Sequence, residues 1–250
     1  MSLIKTDSFE IAIYSKGDIN SKKLALVLPG KLDTKDYSHM KSHVNYLASL
    51  GFFALSFDPP GTWESPGDIS LYSMTNYLKS INELIKYYDN KPTFVMGHSR
   101  GASMAIVASL KNPNITAFAS VFSSLNASGS WERSDTKLWK EQGYLLSKRD
   151  LPPGGGEKVK EFKIPYSFFI DQLKYNITEE LSRSTKQKLF MLGKHDPLVK
   201  PEVVKELYEI ASPPKELYEL DSDHDYRLHP NLIEEVNEVL GKFLSKLIEI

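Results

Sequence analysis

Ser99 stands in the pentapeptide Gly97-His98-Ser99-Arg100-Gly101, after the apolar run Thr93 to Met96 and before a helix-forming stretch, Ala102 to Leu110. The spacing G-x-S-x-G between a buried strand and a helix suits nucleophilic chemistry, because the sharp turn strains the serine backbone and lifts its hydroxyl into the open. Glycine is required on both sides, where a side chain would collide with neighbouring backbone. A tight strand-to-helix turn with a capping serine uses the same five residues. The flanking strand and helix favour the nucleophile.

A serine hydroxyl attacks only with a base beside it, and the base needs an acid to fix its tautomer. Both are expected downstream, in loops at the carboxyl ends of later strands that converge on one crevice. The run Leu189 to Leu192 leads into Gly193-Lys194-His195-Asp196-Pro197, which makes Asp196 the candidate acid. Glu216 to Leu220 leads into Asp221-Ser222-Asp223-His224-Asp225, which makes His224 the candidate base. The plainer alternatives are a turn-starting Asp196 before Pro197 and a charge-compensated surface His224. His229, before Pro230, reads as a helix-entry residue; His195 is expected to point away, and His98 to pack beneath the turn. His39 and His43, spaced i, i+4, lack the carboxylate of an H-E-x-x-H pair and are expected on a helix surface, so neither metal nor cofactor is expected. Negative charge developing on a substrate oxygen needs rigid backbone N–H donors. The candidates are Arg100, directly after the serine, and Lys31, in Pro29-Gly30-Lys31-Leu32-Asp33 after the run Leu24 to Leu28.

These loops need a rigid frame. Leu24 to Leu28, Phe52 to Phe57, Thr93 to Gly97, Ala117 to Phe122 and Leu189 to Leu192 are apolar runs without alternation, separated by amphipathic stretches. That rhythm predicts an α/β fold with a mostly parallel sheet covered by helices on both faces. Helical spacing marks Leu71 to Tyr88, Ala102 to Leu110 and the C-terminal stripe Leu232, Val236, Leu240, Phe243, Leu244 and Leu247. The alternating Phe9, Ile11 and Ile13 predict an antiparallel strand at the sheet edge. The rhythm breaks from Asn126 to Lys186. This stretch, 126–186 within a single domain of 1–250, is expected to be an inserted cap with its own helices and a hairpin around Gly154 to Gly156. Those glycines lack the preceding strand and lysine of a phosphate loop. The cap's aromatic density makes Trp131, Trp139 and Phe168 candidate substrate contacts, with Trp63 from the loop after Phe57; the alternative is that the cap's aromatics pack only on one another.

Among the 250 residues, 31 Lys and Arg offset 32 Asp and Glu and there is no cysteine. A net charge of -1 without basic clusters gives no field that gathers nucleic acid or an anionic membrane. The lack of cysteine removes disulfides, thiolate metal sites and a thiol nucleophile. The opening residues lack a signal-peptide core, and no apolar run approaches the roughly 18 residues of a membrane span. A cytoplasmic protein acting on a small molecule is expected.

With these residues together, the chain resembles the α/β-hydrolase superfamily. The resemblance rests on the elbow, the stretch Leu28-Pro29-Gly30-Lys31, the loop Phe57-Asp58-Pro59-Pro60-Gly61-Thr62-Trp63-Glu64-Ser65, and the loops around Asp196 and His224. The order Ser99, Asp196, His224 is the one that fold uses. Within the superfamily the chain is similar to serine esterases of the cinnamoyl or feruloyl type and to prolyl-oligopeptidase-like hydrolases. It departs from them at Pro29, where His is usual, at Thr62-Trp63 in place of His-Gly, and at Ala102 in place of Gly. The resemblance implies a serine hydrolase cleaving a carboxylic ester through an acyl-enzyme. A peptidase or amidase, a thioesterase, and a non-catalytic binding protein that keeps the fold are the alternatives.

Overall fold

Apolar pentads without polar alternation belong to strands covered on both faces. The computed structural model, which describes residues 2–123, 125 and 136–247, buries every residue of Leu24–Leu28 and Phe53–Phe57. Its strands are β1 (Ser2–Lys5), β2 (Glu10–Lys16), β3 (Leu24–Leu28), β4 (Phe53–Phe57), β5 (Thr93–His98), β6 (Ile115–Val121), β7 (Tyr144–Asp150), β8 (Val159–Pro165), β9 (Gln187–Gly193) and β10 (Lys215–Leu220). Its helices are α1 (Ser38–Ser49), α2 (Met74–Tyr87), α3 (Arg100–Lys111), α4 (Thr136–Gln142), α5 (Tyr166–Gln172), α6 (Thr178–Arg183), α7 (Pro201–Ile210) and α8 (Pro230–Ser245).

Eight strands form one sheet in the order β1-β2-β4-β3-β5-β6-β9-β10, parallel from β4 to β10. Side chains of α2, α3 and α7 join one apolar cluster with the sheet, and those of α1 and α8 join another. The parallel strands are therefore sandwiched, and their carboxyl ends share one rim. Chain ends of the helices follow local chemistry. The Ser73 hydroxyl accepts from the Asn76 amide at the start of α2, and Pro201 and Pro230 occupy first turns, where a missing N–H costs nothing. No helix among the described residues is long and apolar enough to cross a membrane.

One expectation is corrected. The strand of Ile11 and Ile13 is not at the edge: β1 pairs with its outer side, and β2 in turn pairs antiparallel with β4. Four residues with a single buried side chain, Ile4, are too few for periodicity to register.

Between β6 and β9 the described residues 136–183 lie outside the main sheet. There β7 and β8 form an antiparallel hairpin running from Tyr144 opposite Pro165 to Asp150 opposite Val159. Trp139, Phe162, Ile164, Phe168 and Phe169 close a small core against Leu32 and Tyr72 of the main body. Polar ties add to it. Tyr37 donates to the Asp150 carbonyl at 2.7 Å, Arg227 donates two hydrogen bonds to the Asp150 carboxylate, and Arg149 forms an ion pair with Asp33.

Candidate active site

Strand β5 ends at His98 and α3 begins at Arg100, so Ser99 alone makes the turn, with φ 54° and ψ −115°. A non-glycine residue in that region is strained and is held there by its surroundings. The surroundings are tight. A Cβ on Gly97 would stand 2.3 Å from the Gly101 backbone, and one on Gly101 would stand 1.9 Å from the Leu28 carbonyl oxygen. The Ser99 amide donates to Val121 O at 2.8 Å, which ties the turn to β6.

Three distant segments meet at the serine. Ser99 Oγ donates to His224 Nε2 at 3.0 Å, and His224 Nδ1 donates to Asp196 Oδ2 at 2.6 Å. Asp196 Oδ1 accepts the amides of Leu198 and Val199, both at 2.8 Å. Burial alone would raise the Asp196 carboxyl, but the His224 hydrogen bond and these amides outweigh it and hold the group below its ordinary range. It is an anion fixed on both oxygens. His98 packs beneath the turn and donates from Nε2 to the His224 carbonyl at 3.0 Å. Burial, reinforced by the neighbouring His224, pushes the His98 ring down to about 3.

Lys31 and Arg100 border a cavity of about 520 Å³ onto which Ser99 and His224 open. The loop carrying Lys31 is braced from below: Tyr77 donates to Pro29 O at 2.9 Å, the Leu32 amide donates to Tyr72 Oη at 3.1 Å, and Trp63 Nε1 donates to Leu32 O at 2.8 Å. Trp139 and Phe168 line the cavity. Trp63 does not, which corrects its expected place, because its indole is spent on clamping Leu32 and packing against Phe162. Trp131 lies outside the described residues.

His39 and His43 are also corrected. Both are fully buried, because α1 lies between the sheet and α8 and turns this edge inward. His43 donates from Nδ1 to Asn237 Oδ1 at 2.6 Å and accepts the Tyr226 hydroxyl at 2.9 Å. His195 is exposed and meets Asp221, and His229 precedes α8. Sequence reasoning missed Asp33, Arg149 and Gln172 on the cavity wall. Gln172 accepts from Arg100 at 3.0 Å, and the Arg100 guanidinium lies 5.6 Å from the Phe168 ring centre. No periodic signal marks such residues, since Asp33 comes from a loop, Arg149 from β7 and Gln172 from α5.

A family model described as the alpha/beta hydrolase fold matches residues 26–148. Solved structures align over nearly the whole chain. Est1E from Butyrivibrio proteoclasticus, solved with ferulic acid, is 18% identical, covers 98% of this chain and 100% of its own, and has a TM-score of 0.73. Mouse alpha/beta hydrolase domain-containing protein 10 is 18% identical, covers 98% of each chain, and has a TM-score of 0.74. The Pyrococcus furiosus esterase Pf2001 is 22% identical, covers 99% of this chain and 90% of its own, and has a TM-score of 0.71. No curated protein sequence matches significantly. The class is plain: the chain has the α/β-hydrolase fold, a mostly parallel sheet between helices.

Proposed function

We propose that the protein is a serine hydrolase that cleaves a carboxylic ester of small to medium size through an acyl-enzyme. The observation that carries this reading is the unbroken hydrogen-bonded series Ser99, His224, Asp196 at the mouth of a cavity of about 520 Å³. Ser99 Oγ attacks the ester carbonyl carbon while its proton passes to His224 Nε2. Asp196 holds the Nδ1–H and stabilises the imidazolium that forms. The tetrahedral oxyanion takes backbone N–H bonds from Lys31 and Arg100, helped by the positive end of α3. His224 then protonates the departing alcohol, and water repeats the sequence to release the acid. Trp139 and Phe168, from a cap spanning 126–186, form the pocket wall, and flat or bulky groups gain by stacking there. The esterase name of the structural neighbour Pf2001 favours an ester over an amide.

Turnover of p-nitrophenyl esters of increasing acyl length, aryl esters and amino-acid arylamides tests the proposal. Ester hydrolysis that falls on the order of a millionfold in Ser99→Ala supports it. A folded wild type inert to every ester, or a Ser99→Ala variant with unchanged turnover, refutes it.

A further inference from the structure

Directly under the Ser99 turn, Asp33, His39 and His98 converge from the loop after β3, from α1 and from the end of β5. One ligand-type atom of each lies within 4.8 Å of the others, and all three residues are buried. Their chemistry does not close by itself. His98 gives its Nε2–H to the His224 carbonyl, an acceptor only, so its Nδ1 bears a lone pair. That lone pair faces Asp33 Oδ2 at 3.7 Å, two acceptors aimed at each other beneath the cavity wall that both residues help to form. His39 adds two more unpartnered atoms, one donor and one acceptor: the ring is fully buried, and neither of its nitrogens has a hydrogen-bond partner. Its neighbours are the rings of Tyr37, His43, His98 and Tyr226. Buried polar atoms are almost always satisfied, so unpartnered ones gathered at one point suit a small polar or ionic guest.

We propose that Asp33, His39 and His98 bind one divalent cation of the zinc class, which ties the Lys31 loop, α1 and the serine turn together. Two imidazole nitrogens and a carboxylate oxygen are the donor set that such ions prefer. Ligand atoms around a tetrahedral zinc lie about 3.4 Å apart, so the 3.7 Å pair needs little adjustment and His39 closes the remaining gap. Arg149 holds the other Asp33 oxygen, which leaves the fourth position to water. Arg227, the cation whose charge reaches His39, is itself paired with Asp150 and Asp225.

The test does not pass through catalysis. Untagged protein is stripped with a chelator and titrated calorimetrically with Zn²⁺, with Co²⁺ absorption as the report on coordination and the melting temperature as a third readout. The expected result is one Zn²⁺ per chain, tetrahedral cobalt bands, and a rise in melting temperature. All three should be lost in His39→Phe, which keeps the ring packing, with affinity at least 100-fold weaker. Should His39→Phe fail to fold, Asp33→Asn carries the same expectation. No stoichiometric binding by folded wild type overturns the proposal, as does unchanged binding in the variant, which would place the ion elsewhere, for instance at the exposed His195 and Asp221 pair.

Discussion

The Ser99 turn and the β7–β8 hairpin border the same cavity but are held by different forces. Around Ser99 the constraint is steric and backbone-based: Gly97 and Gly101 leave no room for a Cβ, and the serine amide is bound to β6. The hairpin rests on a small aromatic core and on side-chain ties, Arg149 to Asp33 and Arg227 to Asp150, whose charges water can solvate if the contact opens. Burial opposes ionisation of Asp150, yet Arg227 and the Gly155 amide hold its carboxyl down to about 2, so the tie persists across ordinary pH. The serine is placed by what cannot fit, and the hairpin by what can be exchanged.

Four changes probe that contrast, from the largest effect to the smallest. Asp196→Asn should keep the fold and lower ester turnover by about 10,000-fold, because the amide presents the wrong partner to His224 Nδ1; steady-state kinetics would show it, and near-normal turnover would move the acid to another residue such as Asp223. Gly101→Ala should cost more than about 4 kcal/mol in urea denaturation, since β3 and α3 must part to admit the methyl group. A wild-type midpoint would mean that the turn is looser than its packing implies. Arg227→Ala, which strips Asp150 of its partner, should cost about 2 kcal/mol. Its signature is regional: hydrogen exchange should quicken in 144–165 while β3, β5 and β6 stay protected. Uniform acceleration would erase the distinction between the two regions.

The smallest effect concerns acid. Burial pushes the His43 ring down to about 4, below the 6.5 of an unconstrained imidazole. The unfolded chain therefore takes up this proton first, so the stabilisation is full above pH 6.5 and drains away as pH falls toward 4. The slope is at most about 1.4 kcal/mol per pH unit for one proton. In His43→Leu the loss of stability between pH 6 and 5 should be shallower by that amount; an identical slope would show that His43 is not the titrating group.

The frame was legible because unbroken apolar runs mark doubly covered strands, and because a strand-to-helix turn as tight as the one at Ser99 leaves its glycines in the sequence. Asp196 and His224 could be named from their place after strands, two steps that need only element order. Trp63, His39 and His43 could not. The indole of Trp63, at a positive φ of 45°, is turned toward Leu32, while His43 is buried against Asn237 of α8 and His39 against Tyr226, partners nearly 200 residues away. The hairpin was legible from its glycines, but its anchors were not. Arg149 and Asp150 look like surface charges until Asp33 and Arg227 are beside them.

The central claim, that Ser99 is a nucleophile made reactive by His224, is tested most directly by a fluorophosphonate probe followed by peptide mass spectrometry. A single adduct on the peptide containing Ser99, slowed strongly in His224→Ala and absent in Ser99→Ala, is the predicted result. A folded protein that takes no label, or one labelled at a different residue, would contradict it.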